Sequence, residues 1–137
     1  MRRRTLLAAL VVLPVVAACE EEGQPMALRS DKDLDAGIAE LRDTGGSAPL
    51  RTLTSFDWDA VYCYYEGATA DEVNGAVGTT VLKPGSRLMV SGALAVFTRG
   101  GEVVRALVIP ELTFTPGRQP AGTGVVVEKG VRLVNPS

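Results

Sequence analysis

The side chains best equipped for chemistry crowd into one short stretch: the thiol of Cys63, the carboxylates of Asp57 and Asp59, and the aromatic rings of Trp58, Tyr62 and Tyr64. The 137-residue chain contains no histidine, which removes the commonest general base and the commonest metal ligand. Ser-His-Asp and Cys-His catalysis are excluded with it, as are zinc sites that need imidazole. Asp57 and Asp59, at i and i+2, are then either an acid–base pair on one strand face or strand-terminating residues that hydrogen-bond main-chain amides. Two carboxylates supply too few oxygens for calcium, and the loop spacing of a calcium site is missing. Trp58 with Tyr62 and Tyr64 is either an exposed platform for a glycan or peptide, or, for Trp58, a plug at one end of the core beneath a helix. Gly122-Thr123-Gly124 lacks a phosphate-loop lysine and a following helix, so no nucleotide is implied. Neither a metal nor a cofactor is expected.

These residues need elements to place them. Five of the chain's seven aromatic residues fall between Phe56 and Tyr65, and from Ala60 onward the β-branched and aromatic content predicts a strand. Its alternation puts Val61, Cys63 and Tyr65 on one face and Tyr62 and Tyr64 on the other. On an apolar face Cys63 reads as a small buried hydrophobe; a nucleophilic role would need an arginine or helix terminus to lower its pKa. Thr69-Ala70-Asp71-Glu72 fits a capping box opening a short helix through Val73, Ala76 and Val77, with Gly78 to close it. Upstream, Leu34, Ile38 and Leu41 share one helical stripe within residues 30–42, with Ser30 as N-cap and Gly45-Gly46 as the stop. Downstream, Leu88, Val90, Leu94 and Val96 share one parity and predict a strand over residues 87–98. Gly100-Gly101 turns it into a partner over residues 102–109, a hairpin whose apolar content on both parities suggests a central position. Residues 110–123, rich in proline and glycine, read as a loop. Residues 124–134 are one strand or a bent pair around Glu128-Lys129-Gly130.

The N-terminus carries a different message. Met1-Arg2-Arg3-Arg4-Thr5 precedes an apolar run from Leu6 to Val16 and the small pair Ala17-Ala18. A basic n-region, a short h-region and small residues at a cut site are the grammar of a secretory signal. Without Arg2, Arg3 and Arg4 the chain keeps eleven basic against sixteen acidic residues, a net charge of −5. That balance is unsuited to nucleic acid, which needs a basic face to displace counterions. Glu20-Glu21-Glu22-Gly23-Gln24-Pro25 then reads as an acidic tether.

Val16-Ala17-Ala18-Cys19 resembles the lipobox of bacterial lipoproteins, in which the cysteine is acylated and becomes the new N-terminus. The resemblance implies lipidation at Cys19 and a partner in the membrane itself. Arg3-Arg4-Thr5-Leu6-Leu7 also resembles a twin-arginine signal, and the export route stays open between the two systems. Phe56-Asp57-Trp58-Asp59, followed by a Val-Tyr strand, a turn and a helix ending in glycine, resembles an uncharacterised group of small bacterial proteins, often lipoproteins, with a Trp-Asp strand. Tyr65-Glu66-Gly67 stands here where that group has a Pro-Tyr pair, and the likeness covers about residues 51–78. Gly67-x-Thr69-x-x-x-Val73 with Gly78 is similar, more faintly, to small lipoproteins of outer-membrane assembly, against which the Trp-Asp strand counts.

The expectation is therefore a signal peptide over 1–18, a lipidated acidic tether over 19–27, and a single small α+β domain over 28–137. In it, an N-terminal amphipathic helix and a short second helix pack on an antiparallel sheet of three to five strands. The expected role is a membrane-anchored, extracytoplasmic, non-catalytic module that binds an envelope protein or glycan, with Trp58, Tyr62, Tyr64, Asp57 and Asp59 as its binding residues. The alternative is a cell-envelope enzyme using Asp57, Asp59 or Cys63.

Overall fold

A computed structural model describes residues 25–110, 116–120, 126–128 and 132–134. Residues 1–18, read above as an export signal, Cys19 and the acidic run Glu20, Glu21 and Glu22 lie outside the described residues. Three helices and seven strands follow in the order α1 (Lys32–Thr44), β1 (Ala48–Pro49), α2 (Leu50–Leu53), β2 (Ala60–Tyr65), α3 (Ala70–Val77), β3 (Ala93–Arg99), β4 (Glu102–Ile109), β5 (Gly117–Pro120), β6 (Val126–Glu128) and β7 (Arg132–Val134). The main sheet is antiparallel throughout, ordered β4-β3-β2-β5, and a second sheet is ordered β1-β6-β7. The molecule is α+β, as the sequence pattern implies.

Helix α1 forms because its apolar stripe has somewhere to go: Leu34 and Ile38 are buried, and Leu41 packs beside them. Its N-cap is Asp31 rather than the expected Ser30, with the Asp31 carboxylate accepting from the Leu34 N–H at 3.0 Å. A carboxylate is the stronger acceptor at the positive end of a helix, and the residue before Ser30 is already held to β4. Gly45, at φ 73°, stops the helix and returns its N–H to the Leu41 carbonyl. Helix α3 starts as anticipated, with Thr69 Oγ1 accepting from the Glu72 N–H at 3.1 Å, and Gly78 ends it. Asn74 then pins the chain that leaves α3. Its Oδ1 accepts from the Val81 and Leu82 N–H groups at 2.8 and 3.0 Å, while its Nδ2 donates to the Leu82 carbonyl at 2.9 Å.

Strands β2 and β3 carry apolar side chains on both faces, so the sheet needs two covers. Leu34, Ile38, Leu50, Trp58 and Phe97 fill one side, and Tyr64, Val73, Val77, Val81, Leu94 and Val96 fill the other. Ala93 and Ala95 sit on the first side, which leaves room there for the larger rings. Tyr65, expected to share the face of Val61 and Cys63, lies at the strand end and is 39% exposed.

Three expectations need correcting. The strand expected over residues 87–98 begins only at Ala93, because the Leu88 N–H goes to the Ala68 carbonyl and its own carbonyl takes the Gly67 N–H, both at 2.8 Å. The hairpin does close at Gly100 and Gly101, whose φ values of 61° and 86° fit a two-residue primed turn. Of its strands only β3 is interior, however; β4 is the edge, shielded at one point by a parallel bridge from Arg29 to Leu107. Finally, the expected loop of 110–123 contains β5, which pairs with β2 from Ala60↔Pro120 to Cys63↔Gly117. An edge position tolerates the proline and glycine that disguised it. Residues 126–134 resolve into the pair β6 and β7, joined to β1.

Gly92 marks where the chain turns into β3. At φ 113° it occupies a conformation L side chains rarely adopt, and a Cβ there would stand 2.8 Å from both the Ile109 carbonyl oxygen and the Pro110 Cα. Gly92→Ala is therefore expected to lower unfolding free energy by about 2 kcal/mol or more. Urea denaturation of the protein checks it, and a loss below about 0.5 kcal/mol would contradict the strain argument.

Candidate functional site

The aromatic cluster is a ladder inside the core. Trp58 meets Phe97 edge-on at 5.0 Å between ring centroids, and Phe97 meets Phe56 edge-on at the same separation. Arginines close both ends: the Arg51 guanidinium lies 5.6 Å from the Trp58 ring and that of Arg105 4.9 Å from Phe56. Edge-to-face pairs add about 0.5–1.5 kcal/mol each beyond area burial, so this stack is a strong structural element. The polar edge of Trp58 is also accounted for. Its Nε1 donates to Thr54 Oγ1 at 2.9 Å, and its carbonyl accepts from Arg51 Nη2 at 3.0 Å.

The expected platform of Trp58, Tyr62 and Tyr64 is consequently not formed. Trp58 is 2% exposed on the α1 side, whereas Tyr64, 3% exposed, and the half-buried Tyr62 belong to the α3 side. Trp58 lies before β2 begins at Ala60, outside the strand's alternation, and turns to the opposite side of the sheet from Tyr62 and Tyr64. Burial, reinforced by Glu72, Tyr62 and Cys63, pushes the Tyr64 phenol up. Asp57 and Asp59 are not an acid–base pair either. Asp59 Oδ2 accepts from the Gly100 N–H at 2.8 Å while its own N–H donates to the Thr98 carbonyl at 2.8 Å. It thereby ties the entry of β2 to the β3–β4 turn, the main-chain role that was the other reading of these carboxylates. Asp57 pairs with Arg99 at 3.6 Å in an exposed contact worth little on its own. Cys63 is free and buried, and burial pushes its thiol up to about 12. It stays protonated at neutral pH, and neither Asp57 nor Asp59 is directed to it.

What the sequence did not reveal is a groove of about 530 Å³ along the outer edge of β4, lined by Met26, Ala27 and Arg29 on one side and residues 103–107 on the other. It exists because the incoming chain touches β4 only in part. The Arg29 N–H donates to the Ala106 carbonyl at 3.1 Å and the Val108 N–H to the Arg29 carbonyl at 2.8 Å. The Met26 N–H instead reaches the Val81 carbonyl at 3.0 Å, so the two segments diverge. Opposite Phe97 and Thr98 the register skips Val104, a bulge that bends β4 at the groove. Its lining sets Arg29 and Arg105 among apolar residues along a strand edge, suited to binding an extended or anionic group. No periodic or motif signal announces such a site; its one trace was an isolated arginine just before a helix cap.

A smaller hollow of about 170 Å³ lies beside α1 between Asp35, Ile38, Arg42 and Pro110. Asp35 Oδ1 is buried there without a hydrogen-bond partner, and burial first, then Asp31, pushes its carboxyl up. Among the described residues no group of three or more Cys, Asp or Glu is placed to hold a metal ion, and no helix is long and apolar enough to cross a membrane. No family model, no curated protein and no solved structure matches the chain.

The Cys63 thiol sets a pH signature. Its pKa lies near 9.0 in an unfolded chain and near 12 when folded, so the unfolded state loses the proton first as pH rises. Stability is fully present below pH 9 and declines as the pH climbs from there toward 12, by at most about 1.4 kcal/mol per pH unit from this group. Cys63→Ala should cost about 1 kcal/mol at pH 8 from lost packing yet flatten the decline from pH 9 to 11, leaving the part due to Tyr64. Denaturant midpoints at pH 8, 9.5 and 11 test it; an unchanged slope in the variant would refute the assignment.

Proposed function

We propose that the chain is a bacterial lipoprotein, exported and held on the extracytoplasmic face of the cell membrane through lipid on Cys19, with its α+β domain serving as a non-catalytic interaction module. The observation that carries this reading is the order basic n-region, apolar h-region and Val16-Ala17-Ala18-Cys19 at the start of the chain. Two acyl chains at about 0.8 kcal/mol per buried CH₂ make a stable anchor where one chain is marginal. The distribution of side chains supports interaction over reaction: Cys63 is sealed in the core, Asp59 is engaged by main chain, and Asp57 by Arg99.

The partner is an envelope protein rather than a glycan. Sugar-binding surfaces rely on exposed aromatic faces, whereas Trp58 and Tyr64 are spent inside. A main-chain edge with Arg29 and Arg105 beside it suits an extended polypeptide with acidic side chains. The net charge of −5 after the signal keeps nucleic acid out of consideration.

Replacing the anchor residue decides the matter. Cys19→Ser, expressed in a bacterium that processes lipoproteins, should move the protein from the membrane pellet to the soluble fraction, and the mass of its N-terminal peptide should lack acyl groups. Retention in washed membranes of the processed variant, from which residues 1–18 have been removed, would overturn the lipoprotein reading.

A further inference from the structure

The way the chain enters the domain also sets which end of it meets the bilayer. Cys19 and Met26 are seven residues apart, a span of at most about 25 Å. Met26 is no longer free to swing, since its N–H is bound to the Val81 carbonyl, and three residues later Arg29 is held at both its N–H and its carbonyl by β4. The Arg29 bridge is parallel. With Arg29 level with Leu107, the residues before it therefore lie toward the Glu102 end of β4, the end of the turn at Gly100 and Gly101. The groove says the same, since Met26 and Ala27 line it together with residues 103–107.

The opposite end of the sheet is equally well defined. Tyr65 pairs with Ala93 and Ala93 with Ile109, which places all three at the far end of their strands. The hydrogen bonds of Leu88 to Gly67 and Ala68 bring Met89 there, and Met89 is 74% exposed. Eight residues of β4 at about 3.3 Å each separate the two ends by about 25 Å. The tether is thus no longer than the domain it carries, and turning Met89 to the bilayer would require it to run fully extended along the whole sheet. That conformation is heavily disfavoured by chain entropy.

On this basis, and resting on the lipoprotein reading, we propose that the domain is held in a fixed orientation on its own membrane. The Gly100 turn and the Glu102 end of β4 lie nearest the lipid surface, the Tyr65 and Met89 end faces outward, and the groove along β4 lies at the side of the domain.

The test uses the mature, lipidated full chain in vesicles of phosphatidylcholine and phosphatidylglycerol that contain a headgroup nitroxide lipid. Cys63 is buried and Cys19 acylated, so a thiol-reactive fluorophore can be placed at Glu102→Cys or at Met89→Cys, both exposed positions. Quenching at position 102 should exceed that at position 89 by at least about two-fold, given the separation of the two ends. Equal quenching, or the reverse order, would overturn the orientation. Inserting about twenty Gly and Ser residues after Gln24 should abolish the difference; a difference that survives would overturn the tether as its cause. Failure of the lipoprotein reading looks different, because the chain then lacks acyl groups and does not float with vesicles under either label, which removes the orientation along with its basis.

Discussion

Every residue of β3 from 93 to 98 is buried, and that strand sits between β2 and β4 in a sheet four strands wide. A strand apolar on both faces cannot be half-solvated, so each face must be roofed by something else in a chain of modest length. Helix α1, the turn α2 and Trp58 roof one face; α3, the loop held by Asn74 and the segment at Met26 and Leu28 roof the other. Phe97 is the fulcrum of the first face. It receives Trp58 and Phe56 edge-on, and both are kept in place by arginines that cover their outer faces. Burying one such ring stabilises the fold by about 1.5–3 kcal/mol, and the geometry of the three rings sets how α2 and the 54–59 segment approach the sheet.

That constraint explains which elements were readable from the residues. Helices α1 and α3 announce themselves because each buries a single stripe and carries its own terminal signals: the stop at Gly45 for one, whose cap falls on Asp31 one residue after the expected Ser30, and Thr69 and Gly78 for the other. The hairpin is readable because Gly100 and Gly101 are the residues a primed turn demands. Parity also holds where secondary structure does not: Leu88 and Val90 pack on the same side as Leu94 and Val96, although only the latter two belong to a strand. What alternation cannot show is where pairing stops. Leu88 has the side-chain pattern of a strand, but its main chain is claimed by the 67–68 turn. Strand β5 is invisible for the converse reason. Its four residues Gly-Arg-Gln-Pro carry no apolar pattern, and it is a strand only because β2 has an unpaired edge that must be satisfied.

The candidate site was harder to read for a related reason. Concentrated aromatic residues look like a surface for a ligand, yet Trp58 precedes β2 and turns to the α1 side while Tyr64, inside the strand, faces α3, so the two end in different cores. Asp59 proved to be a tie between strand entry and hairpin turn, and Cys63 a filler whose thiol the core keeps neutral. The groove is built from two segments about 75 residues apart in the chain. Residue types and spacing contain no record of such a juxtaposition; it arises when Arg29 bridges β4 and Met26 does not.

Edge protection and the entry of the chain into the domain are the same device in this fold. An open strand edge invites pairing with other chains, and β4 is covered at Ala106 and Val108 by the main chain of Arg29 and bent by its bulge at Val104. The segment that supplies this cover is also the one through which any pull from the N-terminus enters the domain. Met26 passes that load to Val81, and Asn74 holds Val81 to α3; Arg29 passes it to β4 and so to β3. The load is therefore divided between the α3 side and the sheet edge rather than borne by one hydrogen bond. A polypeptide that added to β4 at Ala106 and Val108 would first have to displace Arg29, whereas one that used only the groove would leave the Arg29 bridge intact. The geometry of the N-terminal entry thus separates two ways of approaching one edge, one that keeps the entering segment fixed to the sheet and one that leaves it held through Met26 alone.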